Sequence, residues 1–240
     1  MPVFCHHPFP CIRRLTLINT LKTIPLFSDL ARPDLEKIHA ISRRLDFKKG
    51  QVIFQEGDAG NGFYIVETGR IKVFKLSVEG KEQILHIYGP GHTFGEVPVF
   101  EGKSFPASAM ALETSKIIFL PRPRFVDLIA GAPALAMNLL ADLSRRLRAF
   151  TVQIEELSLK EVPARMAAYI LTLSAEQNNI DQITLPISKA QLSNLIGTTP
   201  ETISRVLKKM SGMGMIRVKA KDILILDTQG LKDLSESGKI

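Results

Sequence analysis

Short runs of β-branched and aromatic residues alternate with glycine-containing turns through the middle of the chain. Between residues 45 and 120 the separating clusters include EGDAGNG, VEGK and GPGH, which are typical of tight turns. Runs this short and evenly spaced predict an antiparallel barrel or jelly roll without helices between its strands. A short helix over Pro33–Arg43 is predicted ahead of them. The predicted strands are Gln51–Phe54, Phe63–Glu67, Arg70–Leu76 and Glu82–Tyr88, followed by a hairpin of Ala109–Glu113 and Lys116–Leu120.

The spacing of apolar residues changes at Pro133. From Ala136 onward they recur at alternating intervals of four and three residues, which is the heptad pattern of a coiled coil. Because the apolar stripe is narrow and flanked by charged residues, it suits a partner helix better than the surface of its own domain. The sequence therefore predicts a homodimer. Its seam is formed by Leu140, Leu143, Leu147, Phe150, Ile154 and Leu157.

Helix caps and a glycine turn near the C-terminus predict a helix-turn-helix. Ser188 is placed to cap a first helix over residues 189–196, and Gly197 follows directly after that helix. Thr199 is placed to cap a second helix, with Pro200 at its first position. Two short helices joined in this way can place the second helix in the major groove of DNA.

The second helix has two chemically different faces. Ile203 and Met210 mark its core-facing side, whereas Glu201, Ser204 and Arg205 share the opposite side. Arginine can donate two hydrogen bonds to guanine, glutamate can accept one from cytosine, and serine can contact either base. We therefore expect these three residues to read base edges. The candidates for contacts with DNA phosphates are Ser188, Thr199, Thr202, Lys208, Lys209 and Lys219.

A basic hairpin is predicted after this helix. Met215–Val218 and Ile223–Leu226 read as its strands, and the span from Arg205 to Lys221 holds six basic residues and no acid. The whole chain of 240 residues has a net charge of +7, which favours a polyanionic partner. Basic residues are ordinarily just solvated surface, so composition alone leaves the partner open. The caps, the turn, the two-faced helix and the basic hairpin follow one another in the order of a winged helix-turn-helix, which predicts that the partner is DNA.

The order of barrel, long helix and winged helix-turn-helix resembles the Crp–Fnr family of transcription regulators from about Ile24 onward. The segments FYIVETGRIKVFK, GHTFGE and TPETISRVLKKM carry the resemblance. It implies a homodimer on double-stranded DNA in which Glu201 and Arg205 read a GA step and Ser204 reads an adjacent thymine. Pro200 stands where one branch of the family has an arginine, so the pattern resembles the Fnr-type branch. That branch implies inverted TTGAT-like half-sites and RNA polymerase as a further partner.

The predicted fold class is α+β. It comprises an N-terminal antiparallel β jelly-roll sensor barrel of the cyclic-nucleotide-binding type, a long dimerisation helix and a C-terminal winged helix-turn-helix. The predicted boundaries are 1–22 for a loose tail, 23–128 for the sensor, 132–158 for the dimerisation helix and 160–240 for the DNA-binding domain. The sequence contains no run of 18 apolar residues and no secretory signal, which predicts a cytoplasmic protein with no membrane partner.

The candidate effector pocket lies around the FGE segment of the barrel. In members of the family that bind cyclic nucleotide, an arginine and a small hydroxyl residue follow this segment by about ten residues and hold the phosphate. Here that pair is Phe105 and Pro106, which cannot neutralise a phosphate, so cAMP is not expected. The candidate pocket residues are Phe94, Gly95, Glu96, Phe105 and Pro106.

Three other kinds of signal are considered. An iron–sulfur cluster needs about four thiolates, and the chain has only Cys5 and Cys11, so no cluster is expected. The segments EGKEQILHIYGPGHTFGE and FPASAMALE resemble the nitric-oxide-responsive regulators of the family, which makes haem the leading specific candidate. A small organic ligand, or no ligand, stays open. The histidines available as haem ligands are His6, His7, His39, His86 and His92.

Two other function classes compete with a DNA-binding regulator. A sensor module that regulates without DNA would use the same barrel, but it would leave the polar face of the second helix and the basic hairpin without a purpose. A catalytic role would need a nucleophile with its base, metal-ligand spacing or a phosphate-cradling loop. None of these stands out in the sequence, so the protein is not expected to be an enzyme.

Overall fold

A computed structural model describes residue 18 and residues 20–28, 30–179 and 181–237 of the protein. The chain divides into two compact units. The first comprises Met1–Lys75 and Leu85–Arg146, and the second comprises Leu76–Ile84 and Leu147–Ile240. The division falls inside the long helix, which therefore contributes its first half to one unit and its second half to the other.

Two four-stranded antiparallel sheets form the barrel. Hydrogen bonds connect the strands in the orders β1-β8-β3-β6 and β2-β7-β4-β5. Consecutive strands thus often lie in different sheets, as the predicted jelly roll requires. The strands are β1 (Arg43–Phe47), β2 (Val52–Phe54), β3 (Gly62–Thr68), β4 (Ile71–Leu76), β5 (Glu82–Tyr88), β6 (Thr93–Phe94), β7 (Ser108–Ala111) and β8 (Ser115–Pro121).

Three details of the barrel differ from the sequence prediction. The helix predicted ahead of the barrel, α1 (Arg32–Ile41), ends before Arg43, because Ser42 is extended and the following residues pair with β8. A short helix, α2 (Val97–Glu101), interrupts strands that were predicted to follow one another without helices. The predicted hairpin of the last two strands is also wrong. β7 pairs with β2 and β4, whereas β8 pairs with β1 and β3, so the short connection crosses from one sheet to the other.

The β8 strand separates two apolar clusters. Its neighbouring residues Ile117 and Ile118 are both fully buried, because successive side chains of a strand point to opposite faces. Ile117 packs with the aromatic residues inside the barrel, and Ile118 packs with Leu35 and Phe125 of the flanking helices. The barrel is therefore covered on one side by helices and filled on the other by its own rings.

The long helix follows the barrel. Helix α3 (Arg122–Gly131) precedes α4 (Pro133–Leu159), whose 27 residues span about 40 Å. Leu135 and Leu139 are buried in the first unit, whereas all six predicted seam residues are exposed, up to 69% for Leu147.

No single helix in the described part of the chain is long and apolar enough to cross a membrane. Only α3 and α4 taken together reach the necessary length and apolar character, and the two helices are bent by 114° relative to each other.

The second unit contains the winged helix-turn-helix. The predicted first helix and the glycine turn are confirmed, and the second helix runs to Gly212. The two strands of the predicted basic hairpin are paired, and this hairpin is called the wing. A further strand, β9, was not predicted, and it joins the wing to make a sheet of order β10-β11-β9. The elements are α5 (Val162–Glu176), β9 (Gln182–Thr184), α6 (Lys189–Ile196), α7 (Pro200–Gly212), β10 (Ile216–Lys219), β11 (Asp222–Ile225) and α8 (Thr228–Ser237).

Candidate nucleic-acid interface and sensor site

The two helices of the helix-turn-helix begin with the caps that the sequence predicts. The Ser188 hydroxyl accepts from the Gln191 N–H at 3.2 Å, and the Gln191 side chain accepts from the Ser188 N–H at 2.9 Å. This reciprocal pair is a capping box. Gly197 ends α6 in the left-handed region with φ 76°, and the Thr199 hydroxyl accepts from the Thr202 N–H at 3.3 Å. The direction in which α7 leaves the turn is thus fixed locally.

The recognition helix α7 is buried on one face only. Its apolar residues are buried, and the three predicted base-reading residues are exposed on the opposite side, so the structure brings them together on one accessible surface. A helix with this polarity can present its polar side chains to a groove while the other face holds it on the domain. The buried residues are Ile203, Val206, Leu207 and Met210, and the exposed ones are Glu201, Ser204 and Arg205.

The base-reading side chains already have polar partners on their own helix. One Arg205 guanidinium nitrogen, Nη2, donates to the Thr202 hydroxyl at 3.1 Å. The pKa of Glu201 lies below its usual value because its carboxylate accepts from its own backbone N–H and from the Thr199 hydroxyl. Ser204 donates to a backbone carbonyl one turn earlier at 3.0 Å. At neutral pH the surface therefore offers one carboxylate and one guanidinium, each held by a neighbour.

The basic residues of this unit surround the same helix and the wing. Lys208 and Lys209 are exposed on α7, and Lys219 is exposed at the end of β10, where it pairs with Asp222 across the turn. Arg217 is also exposed and was missed as a phosphate-contact candidate. The sequence did contain a signal for this residue. In the wing strand IRVK side chains alternate between the two faces, so Arg217 and Lys219 fall on the same face.

The candidate effector pocket is largely filled by aromatic rings. Phe105 stacks on Phe54 with centroids 3.8 Å apart and planes within 10°. Phe94 is fully buried beside them. Gly95 has φ +73°, and a Cβ at this position would lie 3.1 Å from the Phe54 ring. Pro106, in contrast, is exposed. Phe94, Gly95 and Phe105 thus lie in or against a packed aromatic cluster, and Pro106 faces solvent.

Glu96 makes an ion pair that the sequence did not predict. Arg146 reaches from the long helix to donate to the Glu96 carboxylate and to Thr93, whose backbone oxygen accepts at 2.7 Å. It also pairs with Asp142 at 2.9 Å and lies 5.4 Å from the centre of the Tyr88 ring. Burial raises the pKa of Glu96, although Arg146 opposes that rise. This cluster fastens the helix to the FGE segment of the barrel.

Sequence reasoning missed this role because Arg146 is 50 residues away from Glu96 along the chain. By its spacing, Arg146 flanks the apolar stripe and reads as a solvated charge beside the seam. Only the residues that surround Arg146 in the folded protein distinguish it from Arg145. The Arg145 side chain is 63% exposed, whereas the Arg146 side chain is 17% exposed.

The remaining candidate ligands give no assembled site. Loss of hydration, followed by the neighbouring His92 and Arg146, lowers the pKa of His86 to about 4, so its ring is neutral at physiological pH. Within the described ranges, no group of three or more histidine, cysteine, aspartate or glutamate side chains is placed to hold a metal ion. Four of the predicted candidates lie outside the described residues: Cys5, His6, His7 and Cys11.

A β barrel joined by a long helix to a winged helix-turn-helix defines a DNA-binding regulator as the class of protein. Comparison with family models agrees, matching a cyclic nucleotide-binding domain to residues 44–131 and a Crp-like helix-turn-helix domain to residues 164–234. A Cyclic AMP receptor protein of Thermus thermophilus is 31% identical over 90% of this chain and 98% of its own length. The chain belongs to the Crp–Fnr family and is a DNA-binding transcription regulator.

Other relatives spread over several branches of the family. The Anaerobic regulatory protein of Haemophilus influenzae is 32% identical over 83% of this chain and 79% of its own length. Among solved structures, FixK2 from Bradyrhizobium japonicum has the same fold, with a TM-score of 0.74 at 24% identity, covering 83% of this chain and 100% of that chain. The predicted fold is confirmed, and the relatives named here do not single out the nitric-oxide-responsive branch.

Proposed function

We propose that the protein acts as a homodimer that reads inverted TTGAT-like half-sites through Glu201, Ser204 and Arg205. The observation that carries the proposal is the exposed trio on α7, with its buried apolar face and adjoining basic wing. The guanidinium supplies the two donors that guanine requires, and the carboxylate supplies an acceptor for cytosine. The exposed lysines would neutralise phosphates and position the helix without selecting sequence.

The dimer is supported by the exposed seam on α4. Leu140, Leu147 and Ile154 are 56%, 69% and 65% exposed in a single chain, although they repeat at heptad spacing. Exposed aliphatic side chains in such a row are stabilised by a second copy of the helix. A two-fold dimer would place two recognition helices about 34 Å apart, which is one turn of DNA.

Cyclic nucleotide is not proposed as the signal, even though some relatives are named for cAMP. The rings of Phe105 and Phe54 stack where the family resemblance places the phosphate, and the neighbouring Pro106 has no donor to offer. The Glu96 carboxylate is already paired with Arg146. We expect no saturable binding of cAMP to the purified protein in isothermal titration calorimetry.

Haem that responds to nitric oxide stays a prediction from the resemblance alone. The neutral imidazole of His86 is chemically suitable for iron, but the barrel interior is packed with rings whose centroids lie 3.8–6.5 Å apart. The residues present do not fit a haem inside this barrel, so no step of the proposed mechanism passes through one. A visible absorption spectrum before and after adding haem and nitric oxide tests the prediction directly.

The signal, whatever its chemistry, is proposed to act through the long helix. Arg146 ties that helix to the FGE segment, and the same helix carries the seam onward into the second unit. A change at Glu96 would therefore shift the seam and alter the spacing of the two recognition helices. A change of 10- to 100-fold in DNA affinity needs only about 1.4–2.8 kcal/mol of differential binding. Contact with RNA polymerase is proposed from the regulatory role.

Binding of a duplex with two inverted TTGAT half-sites tests the proposed function. Fluorescence anisotropy at two salt concentrations should show specific binding that weakens with salt, together with weaker binding to a scrambled duplex of equal length. Equal affinity for both duplexes would contradict sequence-specific reading. No binding to either would favour the alternative of a sensor module without a DNA role.

A further inference from the structure

Two threonine hydroxyl groups at the start of α7 are linked to the Arg205 guanidinium. Thr202 Oγ1 lies 3.1 Å from Arg205 Nη2 and 3.2 Å from Thr199 Oγ1. A chain of two hydrogen bonds therefore runs from the guanidinium through Thr202 to Thr199.

The Thr202 hydroxyl can meet Arg205 in only one way. A guanidinium only donates, and a threonine hydroxyl has one proton and two lone pairs. Thr202 therefore accepts from Arg205 Nη2, and its own proton and second lone pair stay available for Thr199 or for another partner. The Thr199 hydroxyl is itself held at the start of the helix, because it accepts the Thr202 backbone N–H at 3.3 Å.

We propose that Thr202, assisted by Thr199, is a specificity-determining residue that holds the Arg205 guanidinium in its base-reading orientation before DNA binds. The inference rests on the proposed function of α7 and assigns the two threonines a role in selecting sequence. A guanidinium has five N–H donors, so the bond to Thr202 leaves enough donors for a bidentate contact with guanine. Restricting a long, flexible side chain before binding lowers the entropy that binding would otherwise cost.

This role differs from the phosphate contact predicted for Thr202 from the sequence. The two roles use different parts of the hydroxyl, because a phosphate contact takes its proton and the contact with Arg205 takes a lone pair. Loss of a phosphate contact weakens all DNA sequences alike, whereas loss of a positioning contact weakens only the sequence that Arg205 reads.

Thr202→Val and Thr202→Ser separate these roles. Valine removes the hydroxyl but keeps the branched shape, and serine keeps the hydroxyl, so serine is the matched control. The affinities of the whole protein are measured by anisotropy on the TTGAT duplex and on a duplex with the guanine of both half-sites replaced by adenine. Thermal unfolding compares the folding of the variants, and Thr202→Ala repeats the measurement with a strong helix former if the valine variant does not fold.

The proposal predicts that Thr202→Val loses about tenfold of the preference for guanine while its affinity for the adenine duplex hardly changes. Thr202→Ser should keep the preference of the original protein within about twofold. Equal weakening on both duplexes, or no change on either, would overturn the positioning role alone. Failure of the unaltered protein to distinguish the TTGAT duplex from a scrambled one would overturn the proposed function as well.

Discussion

Arg146 and Glu96 form an ion pair in which the two side chains are only 17% and 10% exposed. One belongs to the long helix and the other to the FGE segment of the barrel, so the pair connects the sensor to the helix that carries the predicted seam. A pair this well shielded is costly to break, because the partner left behind keeps its charge without compensation. It is therefore a direct point at which to test the coupling between sensor and helix.

Arg146→Met should destabilise the protein by about 3 kcal/mol, because Glu96 would remain buried without its cation. The double variant with Glu96→Gln should recover most of that loss, since it removes the unpaired charge. Urea unfolding, followed by a signal from the tertiary structure of the first unit, measures the stability of both variants. Arg145→Met is the control, because Arg145 is exposed and its removal should change stability by less than about 0.5 kcal/mol.

The cost of Arg146→Met should also depend on pH. Burial raises the pKa of Glu96 above its ordinary 4.5, and without Arg146 the pKa rises further. A carboxyl group with a raised pKa in the folded state makes stability fall as the pH increases from its unfolded pKa toward its folded pKa. The difference between the variant and the unaltered protein should thus be smaller near pH 4.5 and larger near neutral pH. A difference that shrinks on raising the pH would contradict this account of Glu96.

Phe105→Ala should destabilise the barrel by about 3–5 kcal/mol, because it removes a buried ring stacked on Phe54. Pro106→Ala, at the adjacent exposed position, should have a much smaller effect and serves as the control. Urea unfolding curves compare the two. A small loss for Phe105→Ala would mean that the cluster is loose enough to admit a ligand, contrary to the proposed exclusion of cyclic nucleotide.

Ile154→Glu should dissociate the proposed dimer, because it introduces a charge into the apolar seam of α4. Val152→Glu is a matched control: Val152 is 49% exposed on the same helix but outside the heptad stripe. Light scattering of the purified proteins should give a monomer for the first variant and a dimer for the second. If both variants have the same mass, the dimer is not formed through the predicted seam.

The elements that the sequence predicted well are those whose signals are local. The caps at Ser188 and Thr199, the turn at Gly197 and the wing strands each follow from residues within a few positions of one another. The pairing of β7 and β8 with other strands depends on partners far along the chain, so adjacency suggested a hairpin that does not exist. The role of Arg146 could not be predicted either, because its position in the heptad pattern does not indicate that it contacts Glu96 in the folded protein. The hydroxyl chain around Thr202 required side-chain geometry.

Arg205→Ala should cost about 1–3 kcal/mol on the preferred site and relax specificity at one base pair in each half-site. Lys208→Ala should instead weaken all sequences alike and reduce the salt dependence by about one phosphate contact per subunit. Competition titrations on duplexes with single base-pair changes compare the variants. The assignment fails if both substitutions have the same effect on every duplex.

Selection of bound sites from random DNA tests the central claim most directly, since it requires the seam, the recognition helices and their side chains to work together. The account predicts paired, inverted half-sites with a TGA core, with centres about one helical turn apart. Enrichment of single, unpaired sites, or of paired sites without that core, would contradict it.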